Sequence, residues 1–313
     1  MNSRQLARNW PYPRYDTFRK QVENAATAWF DEKGFSRSNY PYRLDKWENW
    51  RNNIILPEVV DYILKIKSKC EQLDLPFPLH NNVHHGLSSQ AMLFNLFTQL
   101  IIYDDLEPLR QVISQKGIDW PVDKVSAQLE HEDRNVFNED SGQPTSIDLV
   151  INDSSGAPKL FIECKFVERD FGGCSVYSRG DCNGKNPLSD LSQCYLHFIG
   201  RTYWQKLEKH RFTNIFSKEN LCILLFYYQF FRELVFALEK GGTFILLLDE
   251  RSPVFYCKVG NIERGLLLML QQYVPEIYAH RYTFISVQQL VNAIKQTGRH
   301  SWISEFEKKY GLI

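Results

Sequence analysis

The segment PTSIDLVINDSSGAPKLFIECKF, residues 144–166, decides the fold of this 313-residue chain. Residues 146–152 alternate between polar and apolar side chains, as expected of a β-strand with one buried face. The turn-forming residues NDSSGAP follow at 152–158, and the alternation returns in residues 159–167. The pattern predicts two antiparallel strands that are joined by a hairpin.

Three side chains of this hairpin form a chemical unit. Glu163 and Lys165 are two residues apart, so they point to the same face of the sheet, and Cys164 points to the opposite face. The hairpin sets Asp148 beside Glu163, because paired strands lie about 4.8 Å apart. Two carboxylates at that separation repel each other unless a cation lies between them, and oxygen ligands suit Mg²⁺ or Mn²⁺. The hairpin therefore predicts a metal site for phosphodiester hydrolysis, where Lys165 orients or deprotonates a water, or stabilises the charged transition state.

A triplet of an acid, any residue and lysine is by itself a weak signal. It occurs three times, at Asp31–Lys33, Glu163–Lys165 and Glu307–Lys309. Only Glu163–Lys165 lies in a predicted strand that an acid-bearing strand precedes. The alternative interpretation is a surface salt bridge on a solvated sheet face.

The rest of the chain adds helices and further strands around the hairpin. Residues 125–132 alternate like a strand, so three successive strands form an antiparallel meander. We predict an α/β fold with a helical N-terminal region at 1–84 and a second domain at 85–313 that ends in helices. The other predicted elements are helices at 19–30, 58–70, 89–102, 189–207 and 220–238, and strands at 243–249 and 254–259.

Composition sets only broad limits. The chain has 37 basic and 37 acidic residues, and a formal net charge of zero gives no support to nucleic-acid binding. Seven cysteines in a chain of this length favour a reducing compartment. The first 15 residues contain no apolar signal-peptide core, and the uncharged apolar stretch 221–231 is too short to span a membrane. We therefore expect a cytoplasmic protein without membrane association.

The combined pattern P-T-S-x-D, hairpin and apolar-x-E-x-K resembles the PD-(D/E)XK nuclease superfamily, which includes many restriction endonucleases and repair nucleases. The phrases HHGLSSQAMLFNLF at 84–97, ExKxxExDFGxC at 163–174 and QCYL at 193–196 look like a bacterial restriction-endonuclease-like branch. The resemblance implies a restriction-endonuclease-like core over roughly residues 85–250. Its central mixed sheet has four or more strands and is flanked by helices, with 189–207 as the helix after the meander and 220–238 as an insertion. Pro144 comes four residues before Asp148, a spacing that the superfamily commonly permits.

The resemblance also implies roles for individual residues. Asp148 and Glu163 are metal ligands, the backbone carbonyl of Cys164 is a further ligand, and Lys165 is the catalytic lysine. Gln193 lies on the predicted helix after the meander, where related nucleases carry a glutamine that contacts the site or DNA.

An additional acid is expected upstream of Asp148. Glu130 and Glu132 share the polar face of the first strand, and we favour Glu130 over Glu132, with a solvated strand end as the alternative. Gln90 opens the helix before the sheet and could hydrogen-bond a metal-bound water, or it caps or packs. We expect Glu168 and Asp170 to face solvent as loop acids, with contact to the site as the alternative for Glu168. We expect His84 and His85 to cap or pack, with contact to a phosphate as the alternative.

A second metal is a separate hypothesis. Cys174, Cys182, Cys194 and His197 fall within 24 residues. Three thiolates and an imidazole would suit structural Zn²⁺, and Cys194 and His197 share one helical face. The spacing is not that of a familiar zinc finger, so small buried cysteines are the alternative.

Two basic stretches could track a DNA backbone or be ordinary solvated faces. They consist of Arg201, Lys206, Lys209, Arg211 and Lys218, and of Arg4, Arg8, Arg14, Arg19 and Lys20.

We therefore expect a Mg²⁺-dependent DNA endonuclease that serves restriction or defence. One active site per chain cuts both strands most simply as a homodimer. Three alternatives stay open: a repair, recombination or structure-selective nuclease with the same site, a DNA-binding protein that kept the fold without catalysis, and a protein-interaction module whose acids are accidental.

Overall fold

A computed structural model describes residues 10–122 and 124–312, so Arg4 and Arg8 lie outside the described residues. Its centre is a five-stranded mixed sheet in the order β1-β2-β3-β4-β7. The pairs β1–β2 and β2–β3 are antiparallel, and the pairs β3–β4 and β4–β7 are parallel. The strands are β1 (Ser126–Glu132), β2 (Ser146–Asn152), β3 (Pro158–Lys165), β4 (Thr243–Leu248) and β7 (Tyr282–Ser286), and the hairpin β5 (Cys257–Val259) with β6 (Ile262–Arg264) stands apart.

Helices cover both faces of this sheet, which confirms the predicted α/β architecture of four or more strands flanked by helices. The helices of the N-terminal half are α1 (Tyr15–Glu32), α2 (Pro57–Gln72), α3 (Ser89–Ile102) and α4 (Glu107–Ser114). Those of the C-terminal half are α5 (Ser175–Ser178), α6 (Tyr195–Phe198), α7 (Tyr203–Lys209), α8 (Thr213–Phe216), α9 (Leu224–Glu239), α10 (Leu266–Gln271), α11 (Val287–Thr297) and α12 (Ile303–Tyr310).

Alternation along β3 decides which side chains meet which helices. Ile162 and Cys164 enter the core beneath α1–α4, α11 and α12, while Phe161 enters the core beneath α7–α10. Glu163 and Lys165 continue the Phe161 face because side chains along a strand alternate with a period of two. This face carries both residues toward α9.

The first core cluster joins the N-terminal helices to the sheet. Phe18 of α1 and Ile63 of α2 share it with Phe94 of α3 and with Leu149 of the sheet. The predicted boundary between residues 84 and 85 stays a prediction, but residues from both sides of it share one core. None of the described helices is long and apolar enough to cross a lipid bilayer.

The predicted helix 189–207 is wrong. Asp190 accepts the Ser192 N–H and starts a single 3₁₀ turn, and Gly200 takes a left-handed φ of 86°. Only the short helices α6 and α7 form in that range, while α9 is the long helix that packs on the sheet. The segment that we interpreted as an insertion therefore supplies the helix next to the predicted site.

The C-terminal strands also differ from expectation. Residues 254–259 yield only β5 outside the main sheet, and the fifth strand β7 comes from a region that we predicted as helical. Ser286 ends β7 and caps α11, where its side chain and that of Gln289 form a reciprocal capping box. A five-residue strand that runs directly into a helix is too short to leave a clear periodic signal.

Candidate active site

Three buried carboxylates stand side by side on three neighbouring strands. The strand pairs Leu129–Leu149 and His131–Ile147 lie on either side of Glu130 and Asp148, so these two acids are opposite each other. Leu149 pairs with Ile162 in the antiparallel strands β2 and β3, so the next residues, Asp148 and Glu163, are also opposite each other. The exposed fractions of the three residues are 4%, 8% and 4%. We call Glu130, Asp148, Glu163 and the neighbouring Lys165 the acid–lysine cluster.

Glu130 is turned out of the ordinary strand conformation. Its φ is +51°, a left-handed value that a non-glycine residue rarely adopts. Its carboxylate accepts hydrogen bonds from Gln90 Nε2 at 2.6 Å and from Ser146 Oγ at 3.3 Å. Burial and then the charge of Glu163 raise the pKa of Glu130 to about 8, although these hydrogen bonds oppose the shift. Backbone strain at a buried acid is typical of functional positions.

Asp148 bridges the two strands of the hairpin. Its Oδ2 accepts the backbone N–H of Cys164 at 2.8 Å. Burial, followed by the charges of Glu163 and Glu130, raises the pKa of Asp148 well above its ordinary value. Several acids that cannot all be ionised together mark a place where a cation would relieve the repulsion.

Lys165 is buried and charged. Its Nζ lies 2.9 Å from Glu163 Oε1 and 3.0 Å from Gln229 Oε1. Burial opposes the charged form, but the carboxylates of Glu163 and Glu233 outweigh it and raise the pKa of Lys165 above its ordinary value. The ammonium is therefore a fixed positive charge within the row of acids.

Gln229 on α9 joins the acid–lysine cluster to the helix layer, a role that sequence reasoning missed. Its Nε2 donates to Glu163 Oε1 at 2.9 Å and to Glu233 Oε1 at 2.8 Å. Its backbone N–H is held by the carbonyls of Phe171 and Gly172. The contact with the site that we predicted for Gln193 is therefore made by Gln229, which lies on the next long helix.

Gln193 itself lies elsewhere. It is exposed, and its amide donates to Asp190 Oδ2 at 3.0 Å. It makes no hydrogen bond to the acid–lysine cluster among the described residues. The reason is the break-up of the predicted helix into separate turns, which removes the face on which Gln193 was expected.

Some oxygens of this region have no partner. Glu163 Oε2 and Glu233 Oε2 are buried without a hydrogen bond in the described part of the chain. An unpaired buried carboxylate oxygen is costly, and a bound cation would satisfy it. Within residues 10–122 and 124–312, no group of three or more histidine, cysteine or acidic side chains is already arranged to hold an ion. The carboxylates of Asp148 and Glu163 are the oxygen ligands that suit Mg²⁺, which usually binds one or two carboxylates and keeps several waters.

Glu132 and Gln90 are the two other residues that we considered beside Glu130. The charged neighbours of Glu132 include Arg134 and Glu139, and its own charge adds to the rise in the pKa of Glu130. Gln90 contacts Glu130 and also donates to the Pro78 carbonyl. It therefore joins the site through Glu130.

The two acids after β3 have different surroundings. Glu168 accepts the Phe166 N–H at 2.5 Å and lies close enough to Lys165 to affect its charge. Asp170 is exposed and accepts the Gly172 N–H, as a solvent-facing loop acid would.

An open groove of about 690 Å³ lies beside the acid–lysine cluster. Glu168 lines it from the end of β3, and Ser88 and Ser89 line it from the start of α3. His80 also lines it and interacts electrostatically with Glu163 and Lys165. Burial lowers the pKa of His80 and that of His85, the latter to about 4, so both imidazoles are neutral near pH 7.

Part of the basic stretch after residue 200 forms ion pairs with acidic residues of the same chain. Arg201 is buried against Asp140 and the Ser141 carbonyl. Lys206 and Lys209 both bind Glu239. Three of the five cations therefore have acidic partners within the chain, while Arg211 and Lys218 are exposed.

The predicted zinc ligands are only partly brought together. Cys174, Cys182 and Cys194 line one small cavity, and Cys222 joins them there. His197 does not line it, and its Nδ1 lies 3.4 Å from Gln205 Nε2. The four predicted ligands do not form one group.

The fold and the row of buried acids define a restriction-endonuclease-like protein. A family model described as "Restriction Endonuclease associating with ARP" (REase-ARP) matches residues 23–311. The chain belongs to this family, which indicates a nuclease or defence role and DNA as substrate. No curated protein and no solved structure has a significant match to the chain.

Proposed function

We propose that this chain is a Mg²⁺-dependent DNA endonuclease of the PD-(D/E)XK type that acts in restriction or defence. The observation that carries the proposal is the row of Glu130, Asp148 and Glu163 on adjacent strands, with Lys165 two residues beyond Glu163. Membership of a restriction endonuclease family supports the same reading.

Asp148 and Glu163 would hold the metal ion, and the Cys164 carbonyl and Glu130 are the further candidate ligands. Bound there, Mg²⁺ or Mn²⁺ would supply positive charge for the scissile phosphate and lower the pKa of a water. The partnerless Glu163 Oε2 and the crowding of carboxylates support this assignment.

We assign Lys165 to charge stabilisation. In the metal-free protein the carboxylates of Glu163 and Glu233 outweigh burial and raise the pKa of Lys165, which favours the ammonium form near neutral pH. An ammonium held by Gln229 and Glu163 is suited to stabilise the negative charge that develops on the phosphate oxygens.

The groove beside the acid–lysine cluster is the proposed path of the DNA backbone. Its polar lining of Arg19, Asn81, Asn82, Ser88 and Ser89 offers hydrogen-bond donors to phosphate oxygens. Contacts of this kind fix the position of the backbone without reading its sequence.

We also propose that the enzyme works as a homodimer, because one active site per chain must cut two strands. The family description names an association with ARP, so an additional partner of that kind is part of the proposal. Light scattering coupled to size-exclusion chromatography, with and without DNA, tests the dimer.

Cleavage of supercoiled plasmid DNA, methylated and unmethylated, and of single-stranded and branched DNA tests the proposal. We expect cleavage with Mg²⁺, none with EDTA, and none by Asp148→Asn. Asp153→Asn is the matched control, because Asp153 follows β2 but serves the hairpin turn. Cleavage of branched DNA alone would move the assignment to a structure-selective nuclease. Binding without cleavage of any of these DNAs would overturn catalysis, and no binding at low salt would favour a protein-interaction module.

A further inference from the structure

Four cysteines from separate parts of the chain converge on one cavity. Cys174, Cys182, Cys194 and Cys222 line a space of about 30 Å³, which we call the cysteine cavity. All four are free thiols. A space of this size admits a single ion or one to two waters, but not a larger ligand.

Backbone contacts bring these segments together. The Cys174 N–H donates to the Leu225 carbonyl, and the Cys222 N–H donates to the Gly184 carbonyl. Gly173 must be glycine for this approach, since a Cβ there would lie 2.2 Å from the Leu225 oxygen. The arrangement therefore depends on the folded backbone and not on spacing within one helix.

Each sulfur faces an N–H donor. Cys182 Sγ accepts the Gly184 N–H at 3.4 Å, and Cys194 Sγ accepts Trp204 Nε1–H at 3.3 Å. Burial raises the pKa of Cys174 and of Cys222, and backbone N–H groups within the three following residues face both sulfurs and oppose that shift. N–H donors aimed at sulfur stabilise thiolates and are the usual surroundings of metal-bound cysteines.

The region around the cavity is poor in regular structure. Between Phe171 and Leu224, α7 is the longest helix and has seven residues. Small irregular regions of this kind are commonly held by disulfides or by a structural metal. Four cysteines that line one cavity supply the number and type of ligands of an all-cysteine zinc site.

We propose that Cys174, Cys182, Cys194 and Cys222 bind one structural Zn²⁺ ion, with Cys222 in the place that sequence reasoning gave to His197. Binding forms four zinc–sulfur bonds of about 2.3 Å and releases four protons from the thiols to solvent, without any change of oxidation state. No three of these thiols stand ready to hold an ion in the described residues. The sulfurs therefore turn into the cavity between them on binding. Lys185, which also lines the cavity, offsets part of the negative charge of four thiolates.

This zinc site would act on the acid–lysine cluster only through the backbone. The segment that begins at Cys174 is preceded by Phe171 and Gly172, whose carbonyls accept the Gln229 N–H. Gln229 lies just after Tyr227, where α9 departs from helical geometry. Loss of the metal is therefore expected to loosen the start of α9.

The direct test is the zinc content of protein purified without added metal, measured by mass spectrometry of the element. We expect one zinc per chain in the wild type and in His197→Asn, Cys257→Ser and Asp148→Asn. We expect at least a tenfold loss in Cys222→Ser. Cys257 is the matched cysteine control because it is buried but lies outside the cavity.

A second measurement does not depend on variants that fold. Wild-type protein substituted with Co²⁺ should show the sulfur-to-cobalt charge-transfer band of a tetrahedral thiolate site. Absence of both zinc and this band, a disulfide between any two of the four cysteines in freshly reduced protein, or an iron–sulfur chromophore would overturn the proposal. So would zinc that is lost in His197→Asn and kept in Cys222→Ser. Asp148→Asn separates this test from the proposed nuclease activity, because it removes catalysis and leaves zinc.

Discussion

Gln229 Nε2 donates a hydrogen bond to Glu163 Oε1 across 2.9 Å, joining helix α9 to strand β3. The same amide receives the Lys165 ammonium on its oxygen, at 3.0 Å. Gln229 thus fixes the orientation of the Glu163 carboxylate and of the Lys165 ammonium at once, and we treat it as a positioning residue.

Replacement of Gln229 by Ala is expected to reduce the rate of DNA cleavage about 10- to 100-fold, as is typical when a residue that orients a site residue is lost. The effect should fall on kcat more than on KM, because the side chain contacts Lys165 and Glu163 and not the groove. Single-turnover kinetics of plasmid DNA cleavage measure this reduction in rate.

Gln193→Ala is the matched control. It removes a glutamine that is exposed and bonded only to Asp190, so cleavage should stay within twofold of wild type. Equal losses in the two variants would contradict the placement of Gln229 in the site.

Glu233→Gln is expected to stabilise the metal-free protein in a pH-dependent way. Burial and then the charge of Glu163 raise the pKa of Glu233 to about 8. Above the ordinary pKa of glutamate the unfolded chain has lost this proton while the folded protein keeps it, so the wild type loses stability as pH rises toward 8. A neutral amide avoids that loss.

Chemical denaturation at pH 5 and pH 8 checks this prediction. We expect a gain in the free energy of unfolding of about 1–3 kcal/mol at pH 8 and a smaller gain at pH 5. A gain that is larger at pH 5 would show that Glu233 is ionised in the folded protein. Glu208→Gln, an exposed acid on α7, should change neither value.

Lys309→Met is expected to stabilise the protein at pH 7. Lys309 is fully buried, and burial lowers its pKa well below its ordinary value. Its partner, the Asn53 carbonyl, also accepts from Asn95 Nδ2, so removing the amine leaves that oxygen bonded. The unfolded chain binds this proton more tightly than the folded protein, so the burial of Lys309 costs stability at every pH below the ordinary pKa of lysine.

The gain for Lys309→Met, about 1–3 kcal/mol at pH 7, should shrink as pH rises toward the ordinary pKa of lysine. Thermal or denaturant unfolding at pH 7 and pH 9.5 measures it. Lys308→Met is the comparison, since Lys308 is partly exposed and pairs with Glu32 on the surface. A gain that grew with pH would contradict the burial argument.

Gly173→Ala is expected to destabilise the protein by about 1–3 kcal/mol, because an added methyl group would overlap the Leu225 carbonyl. Differential scanning fluorimetry measures the shift. Ser175→Ala removes only an exposed hydroxyl nearby and should leave the melting temperature within a degree or two. Equal melting temperatures for Gly173→Ala and the wild type would mean that the loop can move away from α9.

The sequence predicted the elements whose signal is local. Residues 146–152 and 159–167 are mostly apolar because both faces of these strands are buried, one under α1–α4 and the other under α7–α10. The charged residues among them are therefore conspicuous, and apart from Lys159 they are those of the acid–lysine cluster. A bulge between Ile151 and Asn152 shifts the hairpin register by one residue and sets Asp148 level with Glu163. The residues alone therefore placed the two acids on neighbouring strands, but the pairing that joins them depends on this bulge.

The parts that depend on tertiary packing could not be predicted in this way. Gln193 and Gln229 look equivalent in sequence, and only the sheet decides which helix packs beside β3. Glu130 lies beside the other acids with a left-handed backbone φ, which no residue pattern predicts. Cys222 reaches the other three cysteines through backbone contacts between distant segments, whereas sequence spacing favoured His197.

The most direct test of the central claim is single-turnover cleavage of DNA by wild type, Lys165→Ala and Lys159→Ala in Mg²⁺. Lys159 lies on the same strand as Lys165 but binds Asp153 at the hairpin end. We expect wild type and Lys159→Ala to cleave alike and Lys165→Ala to be at least about 100-fold slower. Cleavage by Lys165→Ala at the wild-type rate would contradict the assignment of the active site.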